Sequence, residues 1–402
     1  MRTSLSVAIV ALALVLLAPA VRAAEVTAND TARFLAGLQP SVNSPLLRLT
    51  TEPAWQRHAQ FFDTAFAQLE QQQLSRIRNW SGANLPAARP TMFYMFAGPD
   101  FLYANAFYSG ATTYVLSGLE PTGAVSDLTS LPSDTVAVAL DSVERSLWSL
   151  LNFSFFVTRQ MKTDLDVAEV SGTLPILYVF LARSGMTIRD VKPVALDANG
   201  ALTVGANELA RSKARGTRIV FAGADGVEKT LYYFSTDLSN SGLKASGFLK
   251  FCATLAPGDS LIKSASYLMH LGDFSTVRKF ILANSATIIQ DDSGIPLAQY
   301  SPKMWRFAPF GRYLGPIDKF PGLYQQSYAE LFSRARPIDF GIGYRWRPNE
   351  SNLLLSVRLP GDGTTAEALP PGEQAPALSP SPKPRKPRPP RPQPSDDFWG
   401  SR

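Results

Sequence analysis

The chain has 402 residues, of which 45% are hydrophobic and 18% are charged, and its formal net charge is +6. Its single cysteine, Cys252, excludes an intramolecular disulfide and a cysteine-based zinc site, and its two histidines are too few for a multi-histidine zinc site. Once the two arginines before residue 24 and the net +1 of residues 361–402 are set aside, the body carries about +3, which argues against a nucleic-acid-binding protein.

The N-terminus has the pattern of a secretory signal peptide. Arg2 provides a positive start, residues 5–17 are apolar, and Val21 and Ala23 fit a small-residue cleavage site. The pattern predicts a signal peptide over residues 1–23, cleaved after Ala23 or one residue later. The apolar stretch is too short to span a membrane, and no later segment is long enough. Export without disulfides is typical of a bacterial protein, so we expect a periplasmic or extracellular location in or near the cell envelope.

The first half of the mature chain, residues 24–196, predicts helices and buried strands. Thr51 as N-cap and Pro53 in the first turn predict an amphipathic helix from residue 53 to about 79, and Ser133 predicts the start of a second one. The continuously apolar runs 91–98 and 113–119 are typical of strands covered on both faces, as in parallel sheets. The residues between them suit either a crossover helix or a hairpin, and the sequence leaves both open.

A polar, Gly-rich stretch at residues 197–216 separates this half from the second, residues 197–360, as two domains or as two halves of one core. Asp225-Gly226 between two strand-like runs predicts a hairpin. Helices are predicted at 241–256, 260–271 and 274–284, the last capped by Asp273, and a strand at 286–292. A terminal strand pair is predicted from 336–346 and 351–359. The expected fold is α/β or α+β, a mixed sheet flanked by helices.

Four acidic residues are the candidate catalytic residues: Asp100, Glu120 and the pair Asp291 and Asp292. Each follows a predicted buried strand, so they would gather at one edge of the sheet if those strands were parallel neighbours. Paired carboxylates can divide into a general acid and a general base. Ordinary turn chemistry is the alternative explanation, because acids, Gly and Pro are common where strands end. No cofactor is predicted, although such oxygen ligands could bind a divalent cation.

No recognised catalytic motif fixes a reaction. A Gly-x-Gly-x-x-Gly turn, a P-loop and a Gly-x-Ser-x-Gly elbow are all missing. Ser260 and Lys263 match Ser-x-x-Lys, but the companion motifs stand in the wrong order, which indicates a chance match. His58 and His270 are expected to have structural roles.

The proline-rich, aromatic and cationic segment 300–324 is a second candidate site. Stacking on a ligand and pinning of a surface segment by buried aromatic rings are both compatible with it. The candidate ligand-binding residues are Asn105, Trp305, Arg306 and Arg312.

Residues 361–402 are proline-rich and are predicted to be a disordered basic tail. The tail contains a basic cluster that would bind an anionic envelope polymer or a membrane surface weakly: Lys383, Arg385, Lys386, Arg388 and Arg391. A solubilising tail without a partner is the alternative. The function expected from all these features is an exported, envelope-associated ligand-binding module. The alternative is a carboxylate-dependent enzyme, such as a hydrolase, acting on an envelope substrate.

Overall fold

A computed structural model describes residues 25–153, 155, 163–167, 169–204 and 212–360. The predicted signal peptide and the predicted C-terminal tail lie outside the described residues, as does part of the polar stretch between the two halves. No helix within the described ranges is long and apolar enough to cross a membrane.

The helices alternate with strands along much of the chain. Their bounds are α1 Ala28–Leu35, α2 Pro53–Leu69, α3 Ser75–Asn84, α4 Phe101–Phe107, α5 Ser133–Phe153, α6 Leu174–Arg183, α7 Asn240–Leu243, α8 Phe248–Thr254, α9 Ser275–Asn284 and α10 Gln326–Phe332. One π-helical turn, Glu70–Leu74, joins α2 directly to α3. The long helix predicted from residue 53 is therefore confirmed, as is the helix predicted from Ser133.

The strands are β1 Thr91–Tyr94, β2 Thr113–Gly118, β3 Ala124–Val125, β4 Asp166–Val167, β5 Val170–Ser171, β6 Thr187–Leu196, β7 Leu202–Thr203, β8 Ala214–Ala222, β9 Glu228–Ser235, β10 Gly258–Ile262, β11 Ser285–Gln290, β12 Trp305–Gly311 and β13 Asn352–Arg358. Ten of them form one mixed sheet in the order β12-β13-β11-β10-β1-β2-β9-β8-β6-β7. The five central strands, from β11 to β9, are mutually parallel, and the flanking strands are antiparallel. Strands from both halves of the chain thus share one sheet.

Helices cover both faces of this sheet. Along β1, Met92 and Tyr94 pack into one core with residues of α1 to α6, whereas Phe93 packs into a second core with α8 and α9. This alternation follows from the two-residue period of a strand. The result is a three-layer α/β architecture, which confirms the expected fold class.

Several local predictions are confirmed. Strands β1 and β2 are parallel and α4 connects them, so the crossover is correct and the hairpin is not. Strands β8 and β9 form the predicted hairpin around Asp225-Gly226.

Other local predictions are wrong, each for a physical reason. The helix predicted at 260–271 is wrong at its start, where residues 258–262 form β10. Five consecutive buried residues fit a central strand. The helix predicted at 241–256 is broken at Gly247, which has a φ of +67°. Asp273 lies in a 3₁₀ turn before α9 and does not cap it. The segment 336–346 folds as an irregular loop, and β13 pairs with β11 and β12 instead.

Candidate functional site

The candidate site lies at the carboxyl edge of the sheet, where β11, β10, β1, β2 and β9 end. From β1 the chain continues into β2 on one side, and it returns much later as β10 on the other side. The crossover helices α4 and α9 pack on opposite faces. The gap between the ends of β1 and β10 is therefore a topological switch point, the place where open α/β sheets bind ligands.

A buried ion pair occupies this switch point. Lys263 follows β10, and its Nζ lies 2.9 Å from Oδ2 of Asp100, which follows β1. Both side chains are 3% exposed or less. Asp100 also accepts hydrogen bonds from the hydroxyl of Tyr94, at 3.1 Å, and from the backbone N–H of Tyr103 at the start of α4, at 3.1 Å. The ammonium lies 3.6 Å from the centre of the Tyr103 ring. Burial lowers the pKa of Lys263, and the negative charges of Asp100 and Asp291 oppose that shift.

Asp291, directly after β11, is the second acid of the site and is only 1% exposed. Its Oδ2 accepts the backbone N–H of Ser264 at 3.0 Å, and its Oδ1 accepts the N–H and the hydroxyl of Ser293 at 3.1 and 2.5 Å. Burial first, and then the charge of Asp292, raise the pKa of Asp291 to about 7. Gly343 packs against this carboxylate so closely that a Cβ there would collide with Oδ2.

Asp292 is the third acid and is 4% exposed. The hydroxyl of Tyr267 donates to its Oδ2 at 2.7 Å, and Nδ2 of Asn352 donates to its Oδ1 at 3.0 Å. Burial raises the pKa of Asp292, while these hydrogen bonds and the positive charge of Arg345 oppose the rise. The loop after β10 and the first residue of β13 therefore both contribute to the site.

The loop that follows Lys263 has a strained backbone. Ser264, Ser266 and Tyr267 have φ values of +52°, +49° and +55°, in the left-handed region that side chains other than Gly disfavour. The hydroxyl of Tyr344 donates to the carbonyl of Ser264 at 3.0 Å and restrains the loop. Backbone strain of this kind clusters at functional sites, where the surrounding contacts enforce it.

Of the predicted catalytic residues, Asp100 pairs with Lys263, the charge of Asp291 also acts on Lys263, and Asp292 adjoins Asp291. Glu120 follows β2 at the same edge and is also buried. Its carboxylate lies beside Gly98 and Gly118, and its carbonyl accepts the hydroxyl of Tyr233 at 2.8 Å. Glu120 thus flanks the site on the β2 side.

The four predicted ligand-binding residues are spread over the molecule. Trp305 and Arg306 begin β12 at the amino edge of the sheet, where Trp305 is buried beneath the guanidinium of Arg358. Arg312 follows the other end of β12, at the carboxyl edge, and its N–H donates to the carbonyl of Ser351. Asn105 lies on α4 and accepts the hydroxyl of Tyr114 at 3.3 Å.

The sequence predictions missed Lys263, Ser264, Tyr267 and Asn352. In the sequence, Lys263 stands out only as half of a Ser-x-x-Lys motif, which needs a helix. In the structure Ser260 lies in β10 and Lys263 directly follows that strand. Ser260 instead bonds Ser285, Oγ to Oγ, at 2.7 Å. A lysine directly after an apolar run indicates a charged group at a strand end, but only where the run is identified as a strand.

The two histidines have different surroundings. His58 is buried, and its ring nitrogens lie 2.7 Å from Glu144 Oε1 and 2.8 Å from the carbonyl of Leu35, so it links α2 to α5 and α1. His270 follows the strained loop and packs against Tyr267 with ring centres 5.3 Å apart. Burial lowers the pKa of His270.

Among the residues that the structure describes, no group of three or more His, Cys, Asp or Glu side chains could hold a metal ion. Asp100 has Lys263 as its cationic partner. Comparison with known proteins gave no match to a family model, to a curated protein or to a solved structure.

Proposed function

We propose that the carboxyl edge is the active site of a carboxylate-dependent enzyme, with a hydrolase as the reaction class. The observation that carries this proposal is the set of buried charged groups at the switch point: the Asp100–Lys263 ion pair and the adjacent acids Asp291 and Asp292, beside a strained loop. Asp291 is the general acid and base of the proposed site, and Lys263, held by Asp100, supplies positive charge.

The energetic cost of the cluster supports a functional role. Burying an ionised group costs several kcal/mol, roughly, even after relaxation, and apolar residues of similar volume are often as stabilising as a buried ion pair. Strain at each left-handed residue adds about 1–3 kcal/mol. Stability alone gives no reason for three acids, one lysine and three strained residues to meet at one point.

The proton affinity of Asp291 suits acid–base chemistry. A group with a pKa of about 7 is present in both protonation states at neutral pH, so it can accept and return a proton within one turnover. The ammonium of Lys263, which interacts electrostatically with Asp291, favours negative charge that develops during reaction. Hydrolysis requires both proton transfer and stabilisation of the developing negative charge.

The proposed setting is the bacterial cell envelope. It rests on the signal-peptide pattern of residues 1–23 and on the absence of cysteine pairs in the sequence. An envelope component is accordingly the proposed substrate. The basic tail, Lys383 to Arg391, is the proposed contact with anionic polymer or membrane surface.

A ligand-binding module without chemistry is the second candidate. Each carboxylate of the cluster already accepts hydrogen bonds from protein donors, which is the arrangement of a preorganised recognition site. Under this candidate, replacing Asp291 lowers affinity and no substrate is turned over.

The test is a hydrolysis screen of the mature chain, residues 24–402, against chromogenic esters, glycosides and phosphate esters. We expect one class to be turned over by the wild type and at least about 100-fold more slowly by Asp291→Asn, the usual range for loss of an acid–base group. Asp259→Asn, a change of equal size in a buried acid at the other end of the sheet, is the matched control and should keep most of the activity. Equal rates in wild type and Asp291→Asn for every class would contradict the proposal. Ligand-induced stabilisation without turnover would favour the binding module.

A further inference from the structure

Two features of Ser264 are energetically unfavourable. Its φ of +52° is unfavourable for any side chain with a Cβ. Its Oγ is buried and has no hydrogen-bond partner within the described part of the chain. A buried hydroxyl without a partner loses its hydration and gains nothing in return. A Gly at this position would avoid both costs, so the hydroxyl itself needs an explanation.

The position of Ser264 supplies an explanation for its hydroxyl. It lies directly after Lys263, at the carboxyl end of β10, and its N–H donates to Asp291 Oδ2 at 3.0 Å. Its carbonyl accepts the hydroxyl of Tyr344. A carboxylate that accepts the N–H of a serine lies next to that serine, and the bond from Tyr344 also restrains the backbone. A serine on a sharp turn after a central strand, next to a carboxylate, is the starting arrangement of a nucleophile and its base. In this structure Asp291 binds the N–H of Ser264 and not its Oγ, so the proposed role requires the bond from Oγ to Asp291 to form when substrate binds.

The other serines around the cluster are engaged in hydrogen bonds. Ser293 donates its hydroxyl to Asp291 and accepts the N–H of Ala265. Ser266 is exposed, and its Oγ lies 2.9 Å from the hydroxyl of Tyr344. Ser260 is paired with Ser285 in the sheet.

We propose that Ser264 is the nucleophile of this site, and that the substrate class is an acyl compound, an ester or an amide. The proposal rests on the proposed hydrolase function and adds the substrate class and the covalent step. Oγ of Ser264 attacks the carbonyl carbon as its proton passes to the Asp291 carboxylate. The bond to the leaving alcohol or amine breaks, and Asp291 returns the proton to it. Water then attacks the acyl-serine and gives a proton to Asp291. The bond between Oγ and the acyl carbon breaks, Asp291 returns the proton to Oγ, and the carboxylic acid leaves.

The direct test is labelling with a fluorophosphonate probe, which forms an Oγ–phosphorus bond and releases fluoride. Mature protein is incubated with the probe, weighed intact and mapped by peptide mass spectrometry. We expect one probe molecule per chain, attached to Ser264. Ser264→Gly should not be labelled, and Ser301→Ala, the same kind of change at an exposed serine outside the site, should be labelled like the wild type. Absence of labelling in the wild type, or labelling of Ser264→Gly at the wild-type rate, would overturn the proposal.

Ser264→Gly also separates a functional role from a structural one. Because Gly accepts a positive φ and removes the buried hydroxyl, this variant should unfold at a midpoint equal to or above that of the wild type. Its ester or amide hydrolysis should fall at least about 100-fold. A lower midpoint would indicate that the hydroxyl stabilises the fold and would count against the proposal. Hydrolysis that persists unchanged in Ser264→Gly but is lost in Asp291→Asn would overturn the nucleophile and leave the proposed hydrolase intact, with water attacking directly.

Discussion

The two ends of strands β10 and β11 bury acids to the same extent but in different ways. At the amino end, Asp259 is 2% exposed, and at the carboxyl end Asp291 is 1% exposed. Asp259 accepts the N–H of Arg89 at 2.8 Å and the N–H and hydroxyl of Thr287 at 3.2 and 2.7 Å. Burial raises its pKa too, and these hydrogen bonds oppose the rise. Two backbone N–H groups and one hydroxyl, together with the charge of Arg89, therefore suffice to bury one carboxylate.

The surroundings of the two acids show what differs. The amino end continues as a neutral network, in which the hydroxyls of Tyr108 and Thr287 are 2.9 Å apart. The carboxyl end adds a second acid, a lysine pair and a loop with positive φ values. Burial of a carboxylate alone thus does not identify a functional site. Accumulated charge together with backbone strain, which a sheet does not need for stability, distinguishes the carboxyl end.

The largest predicted effect is on the buried ion pair. Lys263→Met should lower the free energy of unfolding by about 3–5 kcal/mol, because it leaves the Asp100 charge buried without its partner. The double variant Lys263→Met with Asp100→Asn should recover a substantial part of that loss, since Asn can still cap α4. Urea denaturation of the three proteins checks this. A double variant less stable than Lys263→Met would show that the two residues do not act as a pair.

Gly343 provides the next prediction, because the Asp291 carboxylate packs directly against it. Gly343→Ala should cost about 1–3 kcal/mol for the left-handed backbone, at a φ of +75°, and more for the collision with Oδ2 of Asp291. The matched control is Gly226→Ala, which has a φ of +72° and open space around the added Cβ. The difference between the two unfolding free energies isolates the collision. Equal losses of unfolding free energy in the two variants would mean that the loop around residue 343 moves to accommodate the Cβ with no energetic penalty.

A smaller effect is expected from removing single hydroxyls at the two ends. Tyr267→Phe deletes the hydrogen bond to Asp292 and should cost about 1.5–3 kcal/mol, the range for bonds to charged groups. Tyr108→Phe deletes a bond between neutral hydroxyls at the amino end and should cost about 0.5–1.5 kcal/mol. Thermal or urea unfolding of both variants ranks them. The reverse ranking would contradict the charged character of the carboxyl end.

The pH dependence of stability gives the smallest signal, a change of slope. The pKa of Asp291 is raised above its unfolded value of about 4, so the folded state binds this proton more tightly than the unfolded chain does. Its contribution is present at low pH and is lost as the pH rises through about 7. Asp291→Asn should therefore flatten the fall in unfolding free energy between about pH 4 and 7. An unchanged slope across that window would contradict a raised pKa in the folded state.

The fold could be predicted from the sequence where local and global signals agree. Pro53 and the apolar face of α2 fixed that helix, and the continuous apolarity of 91–98 and 113–119 indicated parallel strands. The helix expected at 260–271 failed because a short buried strand and a buried helix segment have the same apolar composition. Because β10 was missed, Lys263 could not be placed at the switch point.

The acidic part of the site was accessible to prediction because it depends on strand ends, which the sequence marks with Asp100 and Asp291. The remaining part was not, because it depends on contacts between distant segments. Asn352 and Gly343 reach the cluster only after β13 has paired with β11, and no local pattern encodes that pairing. The unfavourable backbone of Ser264 is likewise imposed from outside, by Asp291 and Tyr344.

The proposed site depends on a proton held at the carboxyl edge of the sheet, and a carbon-13 NMR titration of the aspartate carboxyl groups tests this most directly. The wild type should show one carboxyl that titrates near pH 7, and this signal should disappear in Asp291→Asn and persist in Asp259→Asn. If every aspartate of the folded protein titrated below about pH 5, within the ordinary range of the residue, the cluster would be a fully ionised structural network, which contradicts a proton held by Asp291 at neutral pH.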